Sequence, residues 1–319
     1  MDHNHHRRLK TAALALTVAA TSQVLAFPGV ATASTSSQAT SSVTQVQQAT
    51  TGAAGTTTAM NKGLATNNRI YRTGRLARVN CSPGALPAGS TNAYRRFLAR
   101  VTDCLNRAWG TQFRKAGMPF SKPRLRIITR KVGNACGGWA TGAAGFYCSA
   151  DRTMYMLITK NDLRQPFPLG IARLMAHEYG HHVQNISKIW TYYTAAQARA
   201  GKAQRLQLSR NSELQAECFS SVFISTQQGS SLFTDAEWDY TVNWFRKNGA
   251  KTWPQNDHGR GPTQAAWMTR GYNSGSPGAC NTWAASPPPP PGPAPGPRHA
   301  PDAAPRPRRR AGPAGPGRR

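Results

Sequence analysis

The sequence predicts an α+β fold, mostly helical, with a small β-sheet beside a helix that carries His177-Glu178-Tyr179-Gly180-His181. Three observations predict it. Apolar residues recur at three- and four-residue steps in several long stretches, the periodicity of amphipathic helices. Only two runs, 125–129 and 154–158, combine β-branched or aromatic character with strand length. Both ends of the 319-residue chain have compositions that exclude a packed core, so the fold is confined to the middle.

At the N-terminus, Arg7, Arg8 and Lys10 precede a mostly apolar run from Thr11 to Ala26, and Ala31-Thr32-Ala33 offers a small-residue cleavage site. Residues 1–33 therefore read as a secretory signal peptide. The apolar run is too short and too broken for a stable transmembrane anchor. Residues 34–64 are rich in Ser, Thr, Ala and Gln, which bury too little surface to offset their ordering entropy, so a flexible spacer is expected. The folded domain is placed at 65–284. Residues 285–319, with the unbroken run Pro287–Pro291 and seven arginines, form an extended tail.

Within the domain, Tyr94, Phe97, Leu98, Val101, Leu105 and Trp109 define one helix, with Ser90 or Thr91 as its cap. The two strands follow, and both join the sheet. Leu169, Ile171, Leu174, Met175, Tyr179 and Val183 define the motif helix, with Pro168 near its start, where a missing N–H does least harm. Gly180 weakens an exposed helix but permits close approach of a second helix or a substrate strand. Trp190, Tyr192 and Tyr193 read as core packing ahead of cleft lining. Asn211 to Phe219, continuing to Ile224, is a second apolar helix with Glu213 and Glu217 on one face, and Asp235–Lys247 and Thr263–Met268 are further helices.

Six cysteines in a chain with an export signal imply disulfides, for which 15 pairings exist. The short interval across a Gly-rich turn favours Cys136 with Cys148 first. Cys81 with Cys104 and Cys218 with Cys280 complete the set. Zinc binding by cysteine is disfavoured, since no Cys-x-x-Cys pair exists.

The chemistry rests on the H-E-x-x-H pattern. On a helix, His177 and His181 lie one turn apart on one face and can present two imidazoles to one ion, with Glu178 beside them as a base for a metal-activated water. Glu213 and Glu217 share a face of the second helix, so one can supply a third ligand while the other accepts the spare N–H of a ligand histidine and fixes its orientation. The bland alternative is a chance pattern with both glutamates in ordinary links to the abundant arginines. His182 lies about 100 degrees around the helix from His181 and is left out of the ligand set. His258, in Asn256-Asp257-His258-Gly259, is a candidate donor to a developing oxyanion, or else a residue that caps the next helix or holds its loop; Tyr155 and Tyr179 are weaker candidates.

His177-Glu178-x-x-His181 followed by Glu213-x-x-x-Glu217 resembles the gluzincin site of thermolysin-like peptidases. With Asn134-Ala135-Cys136-Gly137, Gly145-Phe146-Tyr147-Cys148, His258-Gly259, Arg270-Gly271-Tyr272 and Cys280-Asn281-Thr282, the region 65–284 more closely resembles a bacterial family of neutral zinc metallopeptidases. The resemblance implies a zincin-like domain, Zn2+ held by His177, His181 and Glu213, Glu178 as catalytic base, and Glu217 as the acid supporting a histidine. That position is often aspartate in the family. It also gives an edge strand of the sheet, here 154–158, a role in holding extended substrate through its main chain.

The formal net charge of +28 argues for anionic partners. The cations are dispersed and no nucleic-acid motif is present, so no specific nucleic acid is expected, and an anionic cell-envelope polymer fits at least as well. The resulting expectation is a secreted zinc-dependent endopeptidase acting on protein or peptide. The alternatives are a basic envelope- or nucleic-acid-binding protein with a silent metal site, and a zinc amidase acting on cell-wall peptides.

Overall fold

The computed structural model describes residues 62–137, 139 and 143–284. The expected signal at 1–33, most of the spacer and the tail at 285–319 lie outside them. A helical turn, α1, at 62–66 straddles the expected boundary between spacer and domain. A 3-10 turn follows at Arg69–Arg72, with the Asn68 side chain accepting the Ile70 N–H.

Helix α2 (Thr91–Lys115) starts where Ser90 accepts the Ala93 N–H, as its sequence predicts. It runs beyond Trp109 because Phe113 extends the same buried stripe. Strands β1 (Arg124–Ile128), β2 (Gly145–Cys148) and β3 (Thr153–Leu157) form one sheet in the order β1-β3-β2. β1 runs parallel to β3, with Arg126 opposite Tyr155, and β2 runs antiparallel to it, with Phe146 opposite Tyr155. This corrects one expectation. The 154–158 stretch is the central strand, hydrogen-bonded on both sides, so its main chain cannot hold a substrate; the edge nearest the motif helix is β2, a strand of four residues too short to read from periodicity.

Helix α3 (Lys160–Arg164) opens with a Thr159/Asp162 capping box. The motif helix α4 (Pro168–Ile186) has Pro168 in its first turn and is buried on every side from Leu169 to Gln184. A helix buried all round belongs at the centre of a fold. Helix α5 (Ile189–Arg199) leads into α6 (Lys202–Ser225), which begins well before the predicted Asn211 and is buried throughout from Ser212. Helix α7 (Asp235–Thr252) starts at a Thr234/Glu237 capping box, and α8 (Gly261–Ser274) ends at the left-handed Gly275.

The core is built on α4 crossing α6. They approach so closely at Gly180 that a Cβ there would lie 2.9 Å from the Ala216 Cα and 3.0 Å from its carbonyl oxygen. Helix α2 covers one flank of this pair, with the Tyr179 hydroxyl donating to Asn106 at 2.8 Å and Trp109 edge-on to Phe219 at 5.2 Å. Helix α8 covers α6 from the other side. Disulfides join Cys81 to Cys104, Cys136 to Cys148 and Cys218 to Cys280, the three pairs expected. The last ties α6 to the end of the domain. No helix among the described residues is long and apolar enough to cross a membrane.

Candidate metal centre

Helices α4 and α6 bring His177, His181 and Glu213 together, with one possible ligand atom from each lying within 4.8 Å of the other two. All three side chains are buried. Glu213 Oε2 lies 3.2 Å from His177 Nε2 and 3.3 Å from His181 Nε2. A tetrahedral ion with bonds of about 2.1 Å has ligand-to-ligand edges of about 3.4 Å, so this spacing suits a zinc-sized cation. His177 Nε2, His181 Nε2 and Glu213 Oε2 are also buried without a hydrogen-bond partner, although buried polar atoms are rarely left so. The residues therefore fit the metal.

Electrostatics point the same way. Burial would lower the His177 pKa, but the Glu213 and Glu217 carboxylates outweigh it and push it up to about 10. Burial would raise Glu213, yet His181, His258 and His177 hold it well below the usual carboxylate range. The cluster is built around positive charge, whether proton or metal. Glu178, 2% exposed, lies within electrostatic reach of His177, His181 and Glu213, with the Tyr147 backbone amide of β2 as a polar neighbour. Burial keeps its carboxyl above the ordinary range despite the two imidazoles.

Each histidine is held from behind. His177 Nδ1 meets Glu217 Oε2 at 3.1 Å, and the same oxygen accepts from the Arg173 guanidinium. Burial would raise Glu217, but Arg173 and His177 bring it down to about 2, so it stays ionised. Arg173 is itself buried and lies over the Phe245 ring at 4.5 Å. His181 Nδ1 meets Gln184 Oε1 at 2.9 Å, and Gln184 Nε2 donates to the Ser212 carbonyl at 2.8 Å and to Gln215 Oε1 at 3.1 Å. Sequence reading missed Arg173 and Gln184. Their signal was present, since each lies one helical turn from a ligand histidine, four before His177 and three after His181.

His258 also joins the cluster. Its Nε2 is 3.3 Å from Glu213 Oε2 and its Nδ1 is 2.9 Å from Asp257 Oδ1, while its ring stacks on Trp253 at 4.8 Å. It does not cap α8, whose N-cap is Arg260. Trp253, Phe245 and Gln264 line a small pocket against Arg173, His177 and Glu213. Trp190 walls the site near His181, at 5.4 Å between rings, and anchors itself by donating to Ser212 Oγ at 3.0 Å.

The remaining candidates fall elsewhere. The Tyr155 hydroxyl bonds Asp151 on the sheet, and Tyr179 faces α2. His182 is occupied by the Tyr147 hydroxyl at 3.0 Å and the Ser121 carbonyl at 2.7 Å, and lies outside the ligand group.

Comparison with known proteins agrees with the site. The family model described as "Putative neutral zinc metallopeptidase" matches residues 78–283. The uncharacterised protein YpfJ of Escherichia coli K12 is 29% identical over 206 residues, covering 60% of this chain and 72% of YpfJ. The uncharacterised proteins Rv2575 of Mycobacterium tuberculosis and Mb2605 of Mycobacterium bovis are each 27% identical over 198 residues, covering 52% of this chain and 64% of theirs. No solved structure matches. A family model spanning most of the chain and a buried His/His/Glu group together make this a zinc-dependent hydrolase that belongs to the neutral zinc metallopeptidase family.

Proposed function

We propose that the chain is a secreted endopeptidase in which His177, His181 and Glu213 hold the zinc and Glu178 is the general base. The observation that carries this reading is the convergence of three orphaned, buried ligand atoms next to a fourth buried group, Glu178, whose carboxyl is kept above its ordinary range. A zinc ion held there supplies a Lewis acid that polarises a carbonyl and lowers the pKa of water to about 7. Glu178 takes the proton released as water attacks the scissile carbonyl and returns it to the leaving amine. Glu217 and Gln184 hold the two imidazoles in orientation, leaving Nε2 of each free to ligate. His258, held through its Nδ1 by Asp257, is the candidate donor from Nε2 to the developing oxyanion. β2, an edge strand among the described residues, is the candidate to hold an extended peptide through its main chain.

Export is supported by three disulfides, which persist in oxidising compartments. Association with an anionic envelope is supported by a surface whose lysines and arginines lack carboxylate partners among the described residues, the paired Arg173 being buried. The test compares the mature protein with Glu178→Gln for zinc content and for cleavage of unfolded casein, with and without chelator. One zinc per chain in both, and chelator-sensitive cleavage in the parent alone, is expected. No zinc after refolding with added metal overturns the ligand assignment. Zinc without casein cleavage overturns the general endopeptidase and turns the search to amidase action on cell-wall peptides.

A further inference from the structure

Away from the metal centre, the largest unexplained feature is a cationic face made by α2 and the segment that precedes it. Residues 69–83 run antiparallel along α2, as a 3-10 turn and then irregular chain. Arg69 Nη2 donates to the Gly117 carbonyl at 2.9 Å, Gln112 Nε2 to the Thr73 carbonyl at 3.1 Å, and Arg107 Nη2 to the Asn80 carbonyl at 2.8 Å. Cys81 is bonded to Cys104, and Arg100 Nη1 reaches the Pro83 carbonyl at 3.4 Å. The segment is thus fixed beside the helix from one end to the other.

From α2, Arg95, Arg96, Arg100, Arg107, Arg114 and Lys115 are exposed, and from the segment Arg69, Arg72, Arg75 and Arg78. Arg100, Arg107 and Arg114 recur at seven-residue intervals, which keeps them on one side of the helix. Asp103 is the one acid on the exposed side of α2. None of these ten cations pairs with a carboxylate among the described residues, where Arg173–Glu217 is the one ion pair of a lysine or arginine. Several are instead tied to backbone carbonyls, which fixes their position without neutralising their charge. Arg96 and Arg100, four apart, repel one another, so the row costs the helix some stability. A helix of 25 residues is about 37 Å long, so the charge forms a strip rather than a spot.

We propose that this strip docks a linear polyol-phosphate polymer of the cell envelope, held by phosphate charge alone. Charge complementarity carries the choice of a polyanion. The absence of stacking platforms decides its kind. Single-stranded nucleic acid is gripped by bases stacked on aromatic side chains, and among the described residues the one exposed large apolar side chain is Tyr240, on α7 and off this strip. The strip also leaves the cleft open. Helix α2 contacts α4 through Tyr179, which lies about 200 degrees around the helix from His177, so a polymer on its outer face sits on the far side of α4 from the zinc ligands.

The test uses the mature protein, a short synthetic poly(glycerol phosphate), and binding measured across a range of salt. One variant carries Arg72→Gln, Arg78→Gln, Arg96→Gln and Arg114→Gln, none of which bonds another segment of the chain. A control carries Lys202→Gln, Arg205→Gln, Lys247→Gln and Lys251→Gln, four exposed cations elsewhere. Retained zinc and casein cleavage verify that both fold. Each lost phosphate contact lowers the slope of log K against log salt by about 0.7, so the strip variant should lose about 3 in slope while the control keeps the parental slope. Equal losses in both variants would mean that total charge, not the strip, binds the polymer, and would overturn the proposal. So would undetectable binding at low salt, or displacement by oligothymidylate at equal charge concentration as effective as that by the polymer itself.

Discussion

Gln184 and Glu217 do the same job for the two histidines with different chemistry. A carboxylate behind His177 adds negative charge to the site, whereas the Gln184 amide orients His181 without adding any, and its own amide nitrogen is fixed by Ser212 and Gln215. Gln184→Leu should therefore weaken zinc binding by about 10- to 100-fold, the usual effect of losing a partner behind a ligand histidine. Chelator competition measures it, and Gln184→Glu, which keeps the acceptor for His181 but sets a carboxylate oxygen against the Ser212 carbonyl and Gln215 Oε1, should recover only part of the affinity. Arg173 acts on stability as well as orientation. Its removal leaves the Glu217 carboxylate buried without its cation, and breaking a buried pair in that way costs about 3–5 kcal/mol. Arg173→Met should lower the urea midpoint accordingly. Arg173→Lys should recover part of the loss, because the charge returns without the planar guanidinium that lies over Phe245.

At the scale of elements, the site depends on how closely α4 can lie on α6. The candidate ligands come from both helices, and the crossing point is Gly180 against Ala216. A methyl at Gly180 would meet the Ala216 backbone at 2.9–3.0 Å, and backbone cannot rotate aside as a flexible side chain can. Gly180→Ala should thus destabilise by about 1–3 kcal/mol in spite of its better helix propensity, as overpacking does. Because the helices must separate, zinc affinity should fall with it; a gain in thermal stability with zinc binding intact would refute this account of the crossing. The disulfide between Cys218 and Cys280 supports the same helix, and Cys280 lends its carbonyl to Gln215 Nε2 at 2.9 Å. This part of the architecture was visible in the sequence. Helical steps marked α2, α4 and α6, Gly180 marked a close approach, and two glutamates four apart on an apolar run marked the partner helix. Strand order was not visible, because β2 has only four residues and its role as an edge depends on a pairing that local periodicity cannot encode. The closure of the site by Trp253, Asp257 and His258 was only half visible for a related reason. The Asn256 to Gly259 turn announced a loop, but its return onto Glu213 depends on α8 packing against α6 and α7 against α8, tertiary contacts.

For the whole molecule, the distribution of carboxylates links charge to stability. Glu178, Glu213 and Glu217 are buried together at the centre of a chain with only 12 acidic residues and a net charge of +28. Without metal, the His177 imidazole, its pKa pushed up to about 10 by Glu213 and Glu217 against the effect of burial, offsets these carboxylates, while the candidate ligand nitrogens are left without a hydrogen-bond partner. Zinc binds the assembled site and not the dispersed ligands of the unfolded chain, so its binding free energy adds to folding free energy. At free zinc about 100 times the dissociation constant, the gain is about 2.7 kcal/mol. A domain of this size moves by about 2–4 °C for each kcal/mol, so the melting temperature should rise by about 5–11 °C. Differential scanning calorimetry of metal-stripped protein titrated with zinc measures the shift. The parent and Glu178→Gln should show it equally, since a base contributes no bond to the metal, and His181→Ala should lose most of it. A shift missing from Glu178→Gln would place Glu178 among the ligands and leave the reaction without its base.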